Sequence, residues 1–154
     1  MSNSGVDLKE FWPVMKEVIE SGGEFTFYPN GTSMMPLIRE GKDQVILVKA
    51  DIVKKGDAVF YMRDNGQFVL HRVAKVKNGE YIMCGDNQVL LERGITDKHI
   101  LAKMKAVIRD GETVDETNKK YSKYVKSLSR RRFKRRVRAY LGRMKKKFFG
   151  KKAK

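Results

Sequence analysis

Residues 44–87 read QVILVKADIVKKGDAVFYMRDNGQFVLHRVAKVKNGEYIMCGDN. Four runs rich in Val, Ile, Phe and Tyr stand in this stretch: Gln44–Lys49, Asp57–Met62, Gln67–Val76 and Glu80–Cys84. Such residues suit a pleated, half-buried surface, so each run predicts a strand. Asp64-Asn65-Gly66 and Lys77-Asn78-Gly79 separate consecutive runs with residues that tolerate positive φ, which makes each a hairpin signal. Short strands joined by tight turns predict a mainly β fold: a small, coiled antiparallel sheet or partly open barrel. Glu24–Tyr28 and Ile100–Arg109 extend the pattern on either side.

Outward from this centre the period changes. In residues 7–21, Leu8, Phe11, Trp12, Met15, Val18 and Ile19 recur at helical spacing, and Gly22-Gly23 closes the segment. Pro13 lies inside it, which predicts a start near Trp12 or a kink there. From Lys119 onward, Tyr121, Val125, Leu128, Phe133, Val137, Tyr140, Leu141, Met144 and Phe148 recur mostly every three or four residues, and nearly everything between them is Lys or Arg. That predicts a basic amphipathic helix with a narrow apolar stripe. The expected organisation is an N-terminal amphipathic helix at 1–23, a β domain at 24–118 and a basic helical tail at 119–154.

The 154 residues suffice for one compact domain. The formal net charge of +16 is concentrated at one end. Residues 119–154 hold 18 Lys and Arg with no Asp or Glu, whereas the first 118 carry 16 basic and 18 acidic residues. A near-neutral domain and a polybasic tail therefore need separate explanations. The lone Cys84 permits no intrachain disulfide. No apolar run approaches the roughly 20 residues that span a bilayer, and the expected location is cytoplasmic, either free or peripheral at the membrane.

Four short elements carry candidate chemistry, in the order Gly31-Thr32-Ser33-Met34-Met35-Pro36, Lys55-Gly56-Asp57, His71-Arg72-Val73 and Gly85-Asp86-Asn87. Singly each is weak. A serine before proline is ordinarily a loop or capping residue, a histidine in an apolar strand is ordinarily a satisfied core residue, and Gly-Asp-Asn is an ordinary turn. In this order they resemble the S24/S26 serine peptidases, which comprise type I signal peptidases, their endoplasmic-reticulum and archaeal relatives, and LexA-type self-cleaving repressors. The resemblance runs from about Phe25 to Val107. Its most specific parts are Ser33-Met34-Met35-Pro36, His71-Arg72-Val73 and Gly85-Asp86-Asn87.

The resemblance implies that Ser33 is a nucleophile forming an acyl-enzyme, with a base to take its proton. The bacterial and LexA-type members use lysine, whereas the endoplasmic-reticulum type has histidine in His-Arg-Val, and this chain matches the latter with His71. Strand alternation independently puts Val69, His71 and Val73 on one face, where apolar neighbours keep the imidazole neutral. Two acids are candidates to orient His71. Asp86 matches the Gly-Asp-Asn of the family and is slightly favoured, while Glu92 in Leu91-Glu92-Arg93-Gly94 stands where the endoplasmic-reticulum type has Asp. The Ser33 N–H is the natural oxyanion donor, joined by a side chain of Thr32 or Asn30. Gly31 allows the sharp turn, and Met34 completes the substrate-positioning stretch. The spacing Gly31-Thr32-Ser33 is LexA-like, since signal peptidases place glycine directly before the serine.

Two histidines and one cysteine, without HExxH or paired CxxC, supply no zinc site, and no cofactor is expected. His99 opens a strand with no evident partner. Signal peptidases carry a transmembrane helix ahead of the serine, and Leu8–Ile19 is too short and charged for that role. For residues 119–154 an anionic membrane surface is the first expected partner, ahead of nucleic acid and of a stripe packed on the domain. The expected function is a serine endopeptidase acting on a peptide or precursor protein. The alternatives are a catalytically inactive peptidase-like binding module and a LexA-like regulator, the latter weakened because 30 residues ahead of the motif are too few for a DNA-binding domain.

Overall fold

The structure, a computed structural model, describes residues 8–149. Residues 1–7 and 150–154, with the side chains of Phe148 and Phe149, lie outside the described residues, so the place of Phe148 in the apolar stripe is not assigned. Helix α1 (Leu8–Glu20) precedes strands β1 (Phe25–Phe27), β2 (Gln44–Val48), β3 (Ala58–Met62), β4 (Phe68–Lys77), β5 (Glu80–Cys84), β6 (Glu92–Ile95), β7 (Ile100–Arg109) and β8 (Glu112–Asp115), and α2 (Lys119–Phe149) follows. The eight strands form one open antiparallel sheet in the order β1-β2-β7-β3-β4-β5-β6, with β8 paired to β7.

All six expected strands are present. The β4–β5 turn has Asn78 and Gly79 both at positive φ between the paired Lys77 and Glu80, as a two-residue hairpin with the matching twist requires. The same geometry recurs at Asp110-Gly111, between the paired Arg109 and Glu112. That dipeptide announces β8, whose single apolar residue, Val114, offers no run to read. Strand β6 likewise begins Glu-Arg-Gly. Both added strands escape a search for apolar runs because they are short and polar.

Alternation along the strands sorts side chains onto two faces. Ala58, Phe60 and Leu70 join Val45, Leu47, Met104 and Val107 in one cluster, which Met15 and Ile19 of α1 cover. Val59, Tyr61, Val73, Tyr81, Met83 and Ile95 form the other. Strand β3 is thus buried on both sides, which explains its unbroken apolar run. Helix α1 is already helical at Leu8, ahead of Trp12, and continues through Pro13.

Helix α2 is capped by Asn118, whose Oδ1 accepts from the N–H of Lys120 (2.9 Å) and of Tyr121 (3.3 Å). Its first turns belong to the domain: Tyr121 and Tyr124 pack on the first cluster and Leu128 is buried. Phe133, Val137, Tyr140 and Leu141 are exposed. The reason lies in the spacing. A five-residue step from Leu128 to Phe133 rotates the apolar positions by about 140° around the helix, so one apparent stripe is two faces.

Candidate active site

Ser33 lies in the long connection between β1 and β2, which its own side chains anchor. Met34, Leu37 and Ile38 are buried in the first core cluster. The fully buried carboxylate of Asp43 accepts from the Arg39 N–H (2.8 Å) and guanidinium (2.6 Å). Gly31, at φ +94°, donates its N–H to Glu40 Oε1 at 2.5 Å. Met34 therefore anchors the loop and also forms part of the cleft wall.

Gly85-Asp86-Asn87 closes on this loop from the end of β5. The Asn87 N–H donates to the Ser33 carbonyl at 2.8 Å, and Asn87 Nδ2 donates to the Thr32 carbonyl at 3.3 Å. A Cβ at position 85 would stand 2.6 Å from the Ser33 carbonyl oxygen, so glycine is needed for the close approach. Asp86 holds Arg72 through two bonds, from Nε to Oδ1 (2.7 Å) and from Nη2 to Oδ2 (2.8 Å), with both side chains almost fully buried. Arg72 Nη1 also donates to the Gly56 carbonyl at 2.7 Å. The four motifs that lie apart in sequence thus form one hydrogen-bonded cluster.

His71 and Arg72 are adjacent and so point to opposite faces of β4. Val59 pairs with His71 and Tyr61 with Val69, which sets the Tyr61 and His71 side chains diagonally on one face. The Tyr61 hydroxyl lies 3.2 Å from His71 Nδ1 and 2.7 Å from Glu92 Oε2. Arg63 donates from Nε to Glu92 Oε1 (2.6 Å) and from Nη2 to Oε2 (2.7 Å). A carboxylate only accepts, so the tyrosine proton goes to Glu92, and the tyrosine oxygen is left to accept from His71 Nδ1–H. That order puts the imidazole lone pair on Nε2.

The local charges agree with this order. Burial pushes the His71 imidazole below its ordinary value, with the negative Glu92 opposing and the positive Arg63 reinforcing the shift. Hydrogen bonds from Arg63 hold the Glu92 carboxyl below the usual carboxylate range. Burial, and then donation to Glu92, raise the Tyr61 hydroxyl well above the usual phenol, so it stays protonated.

Ser33 and His71 line the same cleft, of about 260 Å³, whose walls include Met34, Ile38, Phe68 and Leu70. Asn30 and Gln88 add amide groups to it, whereas Thr32 is exposed and outside its lining. Among the described residues, the Ser33 N–H meets no protein acceptor. Strand β4 pairs with β3 through Phe68–Arg72 but with β5 only from Arg72 onward, so among the described residues one edge of residues 68–71 has no strand beside it.

Of the residues expected from sequence, Ser33, His71, Asn30 and Gly31 line the cleft. Glu92, whose Oε2 is 3.8 Å from His71 Nδ1, takes the position beside the imidazole. Asp86, the favoured orienting acid, is bound to Arg72 instead, because it follows β5 on the face opposite to that of His71. Tyr61 and Arg63 belong to no motif in the sequence, and their signal is the Asp64-Asn65-Gly66 hairpin, which sets the register that brings Tyr61 to His71. His99 does have partners. Its Nε2 lies 3.1 Å from Asp64 Oδ1, and its Nδ1 accepts from the Thr96 N–H at 3.0 Å, so it pins the β3–β4 turn. Cys84 is buried, with its thiol toward the Leu90 carbonyl (3.2 Å), and burial pushes the thiol up. Among the described residues no helix is long and apolar enough to cross a membrane. Neither a comparison with protein-family models nor a search of curated proteins returns a match.

Proposed function

We propose that this chain is a serine endopeptidase of the signal-peptidase/LexA type, processing a peptide or precursor protein through an acyl-enzyme on Ser33. The observation that carries the reading is the cleft shared by Ser33 and His71, with the Tyr61–Glu92 pair behind His71 Nδ1. A serine hydroxyl needs a base at neutral pH, and a neutral imidazole with its lone pair on Nε2 supplies one.

In the proposed reaction His71 takes the Ser33 proton as Oγ bonds to the scissile carbonyl carbon. The imidazolium then gives that proton to the leaving amine as the C–N bond breaks. Water, deprotonated by the same imidazole, hydrolyses the ester and restores Ser33. Tyr61 and Glu92 hold the ring and stabilise its transient charge, the part an acid plays in other serine hydrolases. The unengaged Ser33 N–H faces the developing oxyanion, with the side-chain amide of Asn30 or Gln88 beside it. An extended substrate fits along the unpaired edge of residues 68–71, where main-chain bonds give affinity and the apolar wall accepts alternate side chains.

The test is cleavage of a proteome-derived peptide library, with new termini read by mass spectrometry. Wild type is expected to generate termini that Ser33→Ala and His71→Ala do not. Folded wild type without new termini, or the same termini from Ser33→Ala, overturns the proposal; the first outcome supports a binding module.

A further inference from the structure

The two-faced architecture of α2 leaves a feature that peptide cleavage does not use. Leu128, Arg132 and Arg135 mark the side turned to the domain, Arg135 Nη1 donating to the Asp86 carbonyl at 3.1 Å. At about 100° per residue, Phe133, Val137, Tyr140, Leu141 and Met144 fall within one arc of about 100°, well away from that side. Phe133 is 67% exposed, Tyr140 56% and Leu141 54%. Exposed aromatic and aliphatic side chains repeated on one helix face are not what solvent selects.

The flanks of this arc are cationic on both sides. By the same projection, Arg136, Arg143 and Lys147 lie along one border and Lys134, Arg138 and Lys145 along the other, and all six are exposed. No acidic residue occurs from Lys119 to the end of the chain. A central apolar strip with cations along both borders fits a flat anionic surface of apolar interior. The strip enters the headgroup boundary while Lys and Arg stems extend sideways to the phosphates. A nucleic-acid duplex would meet the cations but leave the aromatic and aliphatic strip against phosphates or water.

We propose that residues 133–147 of α2 lie in the plane of an anionic lipid surface, with Phe133, Val137, Tyr140 and Leu141 inserted between headgroups. Arg135 on the opposite side keeps the helix joined to the domain, so the cleft is carried at the surface. The proposal is independent of catalysis, and its test uses binding alone.

The experiment is flotation of the full chain with vesicles of mixed phosphatidylglycerol and phosphatidylcholine, against vesicles of phosphatidylcholine alone, at physiological salt. Partition into the mixed vesicles is expected, with little into the neutral ones. The variant Phe133→Ser/Tyr140→Ser/Leu141→Ser keeps every charge and is expected to lose at least about tenfold in partition. Its thermal unfolding should match that of wild type, since these side chains lie outside the core. Absence of wild-type flotation overturns the proposal, as does equal flotation of the serine variant, which would indicate charge attraction alone. Binding to duplex DNA that is unaffected by the serine changes, with no vesicle partition, would assign the helix to nucleic acid instead.

Discussion

The Tyr61 hydroxyl oxygen lies 3.2 Å from Nδ1 of His71, and its proton points onward to Glu92 at 2.7 Å. The imidazole is therefore backed by a phenol, and the acid acts one hydrogen bond further away, with Glu92 Oε2 itself 3.8 Å from the ring nitrogen. Arg63 fixes that acid from its far side. In the proposed chemistry the tautomer of His71 thus depends on a residue of the neighbouring strand. The consequences can be separated by mutation.

Tyr61→Phe keeps the ring in the second core cluster and deletes only the hydroxyl. Glu92 retains both bonds from Arg63, so the stability cost should be about 1 kcal/mol. Nothing then fixes the proton on Nδ1, and turnover should fall by on the order of tenfold or more with KM nearly unchanged. Steady-state kinetics and a denaturant melt check the two halves of this expectation. A loss of stability without loss of turnover would remove Tyr61 from the proposed mechanism.

Glu92→Gln and Arg63→Gln should move the pH profile in opposite directions. In the proposed reaction His71 is a base only when neutral, and burial lowers its pKa, so the acid limb of kcat/KM should lie below the ordinary histidine value of about 6.5. The Glu92 charge raises the His71 pKa and that of Arg63 lowers it. Removing the first should therefore shift the limb to still lower pH, with a kcat loss of about a hundredfold. Removing the second should shift it upward. Profiles of kcat/KM against pH for the three proteins test the sign.

Gly85→Ala inserts a Cβ 2.6 Å from the Ser33 carbonyl and 3.0 Å from the Gln88 side chain. The backbone carbonyl cannot give way cheaply, so the loop that carries Ser33 must move. A displacement on the order of 1 Å costs about a hundredfold in rate when the reacting groups depend on alignment. Activity should fall far more than thermal stability, because the change strains one loop and not the core. Melting temperature alongside kcat/KM distinguishes this outcome from general unfolding.

Asp86→Ala should behave differently from its neighbour. It strands the buried Arg72 guanidinium, and breaking one side of a buried pair costs about 3–5 kcal/mol. Tyr124→Phe removes only the weaker bond to Asp86 Oδ2, at 3.1 Å, and should cost about 1 kcal/mol. Chemical denaturation of both variants gives the comparison. A mild Asp86→Ala would mean that Arg72 finds another acceptor.

Local chemistry made much of this protein readable from its residues. The Asn78-Gly79 turn sets the β4–β5 hairpin because positive φ is a property of two adjacent residues, whereas Asp110-Gly111 at the β7–β8 hairpin went with a strand too polar to read. Alternation marked His71 as facing apolar neighbours, and helical spacing located α1 and α2. The choice between Asp86 and Glu92 was not local. Glu92 lies opposite Met83 in β5, and Met83 lies opposite Val73 in β4, so its carboxylate reaches the His71 face only once three strands have paired. Asp86, closer to His71 in sequence, goes to Arg72 on the other face. The apolar residues of α2 divided in the same way, since only packing of Leu128 against the sheet determines which side remains outside. Sequence alone determined six of the eight strands and the turns at Asp64-Asn65-Gly66 and Lys77-Asn78-Gly79, because these follow from a few neighbouring residues, and the order of four motifs singled out Ser33 and His71 as candidates. Tertiary structure decided which acid meets the histidine and which face of the last helix stays free, because both depend on register between segments far apart in the chain.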